Sequence, residues 1–94
     1  MRITAELSLY PLRADYVPVI VEFIRSLEDA NEIDIVVNQL STQMSGELES
    51  VMGAISLATE RCFASGEPAS LVVKILNADI DIASPPDLGP STAE

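Results

Sequence analysis

The chain has no histidine, no tryptophan, one cysteine (Cys62) and a single lysine (Lys74). Without histidine a serine nucleophile lacks its usual base, and one lysine leaves little else to serve. A lone cysteine forms no disulfide within the chain, and Cys/His metal clusters are excluded. Bases are also scarce: five against fifteen acids give a net charge of −10. That balance argues against nucleic acid, which needs a basic stripe to meet its phosphates. It likewise disfavours anionic membranes and anionic substrates, and mildly favours cationic ones. No run approaches the roughly 20 apolar residues of a membrane-spanning helix. Glu6 interrupts "MRITAELSLYPL" before an apolar leader core develops, so no signal peptide is predicted and a cytoplasmic location is expected.

What is present is aliphatic. Ninety-four residues, 48% of them apolar with only 4% aromatic, describe one globular domain with an aliphatic core. A core this small is marginal, which favours association of subunits.

Residues 3–10, "ITAELSLY", alternate Ile3, Ala5, Leu7 and Leu9 against Thr4, Glu6, Ser8 and Tyr10, predicting a half-buried strand stopped by Pro11. Asp15 is placed to cap a helix with Pro18 in its first turn, and Val17, Ile20, Ile24 and Leu27 recur at helical spacing, with Val21 and Phe23 widening the stripe. "EDANE" ends that helix near Asn31. "IDIVVNQ" reads as a second strand and "STQMS" as a short third, joined by a tight turn near Leu40. Ser45 or Gly46 is expected to cap a second helix whose first turn holds Glu47 and Glu49. Its stripe runs Leu48, Val51/Met52, Ile55, Ala58/Thr59 and Cys62, and Gly66 and Pro68 terminate it. "SLVVKILN" is the fourth strand. The folded domain is expected over 1–82, and the Pro/Ser/Gly-rich residues 83–94 as a disordered tail.

The order β-α-β-β-α-β predicts an α+β, ferredoxin-like sandwich: a four-stranded antiparallel sheet with two helices on one face. Each crossover is expected to join parallel neighbours. Ile3/Ala5/Leu7/Leu9, Ile33/Ile35/Val37 and Leu71/Val73/Ile75 should face the helices. The other face should show Thr4, Glu6, Ser8, Tyr10, Asp34, Val36, Asn38, Val72, Lys74 and Leu76. Val36, Val72 and Leu76 among spaced polar groups suit a face that packs on another subunit's sheet; a solvated face with stray aliphatics is the plainer reading.

Catalytic chemistry is hard to assemble. Cys62 lies on an apolar stripe with no basic neighbour in sequence and reads as a buried, inert thiol. Glu47/Glu49 suit a helix N-terminus and Asp79/Asp81 a strand end, the latter matching no defined metal loop. The expectation is a protein that is not an enzyme and holds neither metal nor cofactor. Binding remains, and "NQLSTQMSGE" (38–47) draws attention to itself with Asn38, Gln39, Thr42 and Gln43 beside two serines and a methionine. A pocket for a small polar heterocycle needs a few neutral donors and acceptors against an apolar wall, without the desolvation cost of charge. Ser41, Thr42 and Gln43 can supply those contacts and Met44 a soft wall. The alternative is that Ser41 and Thr42 merely make the turn while Gln43 faces water.

Three stretches, "AELSLYPL" (5–12), "NQLSTQMSGE" (38–47) and "LESVMGAISLATERCF" (48–63), resemble the YkoF-like family that binds thiamine and hydroxymethylpyrimidine. The likeness spans residues 3–80. It implies a ferredoxin-like domain that binds the aminopyrimidine of thiamine or its precursor, acts in uptake or salvage of the vitamin and performs no catalysis. It also implies assembly as a homodimer or homotetramer through sheet faces. Ser8 and Tyr10 match the family's first-strand signature, and Ser41 and Thr42 its hairpin signature; Gln43 and Met44 belong to the same segment. Where other members have Glu-Gly, this chain has Ser45-Gly46. Glu6 is then the alternative source of negative charge for a thiazolium or a protonated pyrimidine, or, by its parity, an interface residue. The competing expectation is a ligand-free interaction or regulatory module that works through paired sheets.

Overall fold

A computed structural model describes residues 1–30 and 32–90. β1 (Arg2–Pro11) leads through α1 (Val17–Glu28) to β2 (Asp34–Val37), and β3 (Thr42–Glu47) through α2 (Leu48–Phe63) to β4 (Ala69–Leu76). The sheet order is β2-β3-β1-β4, and every neighbouring pair is antiparallel. This is the α+β, ferredoxin-like arrangement expected, with one correction. The crossovers do not join adjacent strands: β3 lies between β1 and β2, and β1 lies between β3 and β4.

The period-2 pattern of β1 does what alternation dictates. Ile3, Ala5 and Leu7 are buried against the helices, where they meet Phe23 and Leu27 of α1 and Val51, Ala54, Ile55 and Ala58 of α2. Leu9, Ile33, Ile35, Leu71, Val73 and Cys62 pack around that core. Val37 and Ile75, expected to face the core, are half exposed: each lies at or next to the C-terminal end of an edge strand, β2 or β4, with no strand beyond it. The helical stripes also shift: Val17 and Val21 on α1, and Leu48 and Met52 on α2, are exposed.

The helix starts differ from expectation. Tyr16, not Asp15, is the N-cap of α1, and no side chain caps it; Asp15 instead pairs loosely with Arg13 at 3.8 Å. Ser45 and Gly46 do not cap α2, because β3 continues through both and turns directly into the helix with Glu47 as N-cap. Gly46 has a packing reason to be glycine, since a Cβ there would sit 3.2 Å from the Glu32 carbonyl oxygen and 3.4 Å from Val51. The expected helix end at Asn31 lies outside the described residues; α1 stops at Glu28. Residues 83–90 carry neither helix nor strand, and the remainder of the expected tail, 91–94, lies outside the described residues. Among the described residues no helix is long and apolar enough to cross a membrane.

After β4 the chain folds back over one end of the sheet's helix-free face. Thr4 Oγ1 donates to the Ala78 carbonyl at 2.8 Å and accepts from the Ile80 N–H at 3.0 Å. Arg2 Nε at 2.8 Å and Ser45 Oγ at 2.9 Å both donate to the Asp79 carboxylate. Ser45 is thereby buried yet satisfied, as a buried hydroxyl must be. The Arg2 guanidinium first, and the Ser45 hydroxyl second, hold the Asp79 carboxyl below its usual range. A carboxyl lowered on folding stabilises fully above its unfolded value of about 3.9 and loses that contribution as pH falls through the folded value. The melting temperature of Asp79→Asn should therefore decline less steeply than the parent's below about pH 4. Parallel acid limbs would mean that the ionised Asp79 carboxylate adds nothing to stability.

Candidate functional site

The register of β1 against its neighbours creates a notch. On one side β1 pairs with β4 all the way from Thr4↔Leu76 to Pro11↔Ala69. On the other its pairing with β3 ends at Leu7↔Thr42. Ser8–Pro11 therefore overhang β3, and among the described residues no strand pairs with them on that side. An unpaired strand edge presents backbone donors and acceptors to whatever lies beside it.

Three elements enclose the notch. The β2–β3 turn closes through a 2.8 Å bond from the Asn38 N–H to the Ser41 carbonyl, which puts Gln39 and Leu40 at its tip. Ser8 Oγ reaches across to the Leu40 carbonyl at 3.5 Å, a long contact that leaves the hydroxyl largely free. From below, α1 contributes Ile20 and, just before its first turn, Tyr16. The result is an open hollow of about 760 Å³ walled by Ser8, Tyr10, Tyr16, Gln39, Leu40 and Ser41. It continues into a recess of about 100 Å³ lined by Leu7, Phe23, Ile24 and Thr42. Both tyrosines of the chain stand here, each about half exposed (54% for Tyr10, 52% for Tyr16), so their rings are accessible to a flat partner.

Glu6 is the acid at this site. Its carboxylate accepts from Ser41 Oγ at 3.0 Å and pairs with Lys74 Nζ at 3.2 Å. The Lys74 ammonium first, and the Ser41 hydroxyl next, hold its carboxyl below the usual range, so it is ionised near neutrality. Lys74 is exposed and the ion pair is solvent-screened, which leaves the carboxylate able to exchange partners. Chemically the notch offers uncharged hydroxyls and an amide, an unpaired backbone edge, two aromatic faces and one carboxylate.

The sequence-predicted residues divide into two groups. Ser8, Tyr10 and Ser41 meet at the mouth, and Thr42, only 6% exposed, lies at the base of the recess. Gln43 and Met44 are elsewhere. Gln43 sits on the helix-free face opposite Glu6, over a separate hollow with Lys74, Ile80 and Ile82. Met44 is fully buried in the core opposite Ala5. Tyr16, Ile20 and Leu40 also line the hollow, which sequence patterning does not mark. Only the presence of two tyrosines six positions apart, spanning the β1–α1 connection, hinted at the first. Met44 acts as core, so Met44→Ala should cost about 2–5 kcal/mol and Met44→Leu less than about 1.5 kcal/mol, read from urea midpoints. An unmoved midpoint for Met44→Ala would place that side chain outside the core.

Comparison with known proteins follows this geometry. A profile of the YKOF-related family matches residues 2–87. A Streptococcus pneumoniae protein of known structure superposes with a TM-score of 0.77 at 27% identity, covering 88% of this chain and 94% of that one. A Thermotoga maritima protein, described as a candidate thiamine biosynthesis/salvage protein, gives 0.76 at 19% identity over 87% and 91%. A Bacillus cereus domain of unknown function gives 0.72 at 19% identity over 87% and 84%. No curated protein is detectably similar in sequence.

Proposed function

This chain belongs to the YKOF-related family, and we propose that it is a non-catalytic, cytoplasmic binding protein for thiamine or its hydroxymethylpyrimidine precursor, serving uptake or salvage of the vitamin. The observation that carries the reading is the notch beside Ser8–Pro11, where an unpaired backbone edge meets neutral hydroxyls and two tyrosine rings. An aminopyrimidine is flat and carries donors and acceptors along its edge. It can pair with backbone N–H and C=O groups as an added strand does, while Tyr10 or Tyr16 covers a ring face. Ser8 and Ser41 supply orienting contacts, and Thr42 closes the recess beneath. In thiamine itself the thiazolium charge then lies near the Glu6 carboxylate, displacing Lys74 as its partner. The description of the Thermotoga maritima protein supports the same direction.

Assembly as a homodimer or homotetramer belongs to the same proposal. Val72 and Leu76 are exposed on the helix-free face, at 54% and 43%, more apolar surface than a solvated sheet needs. That feature also favours the second reading, a ligand-free module whose function is the pairing of sheets.

Thermal-shift titration separates the two. Ligand at about 100 times its dissociation constant should add about 2.7 kcal/mol of stability. Tyr16→Ala combined with Thr42→Val, both on the helix side of the sheet, should weaken binding by about 1–3 kcal/mol and leave sedimentation unchanged. Silence toward both thiamine and hydroxymethylpyrimidine, with assembly intact, would leave only the pairing module. For the bound state, Glu6→Gln should reduce affinity for thiamine while sparing the uncharged precursor, read by calorimetry.

A further inference from the structure

A second hollow, of about 380 Å³, lies between α1 and α2. Its walls repeat one spacing on both helices: Val19, Glu22, Phe23 and Ser26 on α1; Ala58, Arg61, Cys62 and Ser65 on and just beyond α2. The i, i+3, i+4, i+7 rows are the facing stripes of two packed helices, which would ordinarily interdigitate. Here Ser26, Ala58 and Ser65 are too small to fill the groove, so it stays open above a floor of Phe23 and Ala58, at 4% and 1% exposure.

Charges of both signs stand around that apolar floor. Arg61 and Arg13, two of the five basic residues, line the groove along with Glu22. Both guanidiniums are loosely engaged: Arg61 with Asp29 at 3.5 Å, and Arg13 with Asp15 at 3.8 Å, each a single contact to a well-exposed carboxylate. Neither uses the bidentate geometry that makes an arginine–carboxylate pair strong. Burial first, and Glu22 second, push the Cys62 thiol up, so it stays protonated and serves as apolar wall.

We propose that this groove is a second ligand site, for an α-amino acid with an apolar side chain. The carboxylate pairs with Arg61 and Arg13, the ammonium with Glu22, and the side chain covers Phe23, Ala58 and Cys62. A zwitterion suits the chain as a whole, because a net charge of −10 repels simple anions while a neutral dipolar molecule enters freely. The volume lies within the range of small-molecule sites. The site is independent of the vitamin reading: only Phe23 lines both this groove and the recess behind the notch.

The test is titration of the full chain with L-phenylalanine, followed by amide NMR shifts and calorimetry. The expected result is saturable shifts centred on Phe23, Ser26, Arg61 and Cys62. The two analogues that each lack one charge, 3-phenylpropionate and phenethylamine, should bind about tenfold or more weakly, as should L-phenylalanine to Arg61→Gln and to Glu22→Gln. Both variants leave the response to thiamine unchanged, since neither residue lines the notch or its recess. The proposal is overturned by an absence of shifts at roughly 10 mM, by equal binding of 3-phenylpropionate, or by shifts centred on Tyr10 and Tyr16.

Discussion

The structure turns on an inequality in strand pairing. β1 is hydrogen-bonded on both sides only as far as Leu7; beyond it, β4 continues to Pro11 while β3 has already given way to the turn. Everything distinctive about the candidate site follows from that overhang. A central strand normally satisfies its backbone on both flanks. Here Ser8–Pro11 keep one flank free within a folded domain, and the Asn38–Ser41 turn and the start of α1 wall it in. Water can satisfy such an edge, but so can a planar ligand with matching edge groups, and the enclosing tyrosines favour the latter.

The helix-free face is similarly divided. At one end the chain's own residues 78–82 are fastened across it through Thr4, Arg2 and Ser45. At the other, Val72 and Tyr10 remain exposed next to the notch. Any second copy that covers this face meets the open end without first displacing the strap, and so approaches the candidate site directly. The proposed ligand site and the proposed assembly face thus share a border in this fold.

Much of this was legible in the residues. Alternation along 3–10 placed Ile3, Ala5 and Leu7 in the core because a strand's two faces are set by parity alone. The order of elements pointed to a four-stranded antiparallel sheet with two helices, though not to which strands lie side by side, and "LSLYPL" with "NQLSTQ" pointed to the two segments that meet at the notch. What escaped was information that no single segment contains. The parity of β3 depends on its pairing with β1, and only the Ala5↔Met44 register shows that Thr42, Met44 and Gly46 face the helices. Neutral polar side chains at 42 and 43 look equivalent in sequence but point to opposite faces. Ser45 resembles a helix cap by composition, yet it is a mid-strand residue whose hydroxyl is claimed by Asp79 from the far end of the chain. Tyr16 and Leu40 join the site only because α1 and the turn converge in space, which local periodicity does not encode.

The seamless passage from β3 to α2 carries a consequence for how this domain can diversify. With Glu47 closing the strand and Leu48 opening the helix, no spacer absorbs a change in length. One inserted residue would swing α2 by about 100° about its axis and carry Val51, Ile55 and Ala58 away from the sheet. Changes in length are accommodated instead in the connections that follow β1, α1 and α2, or at the tip of the β2–β3 turn. Only the first and last of these border the notch, so variation in loop length and variation in what the notch accepts fall on the same two stretches of chain.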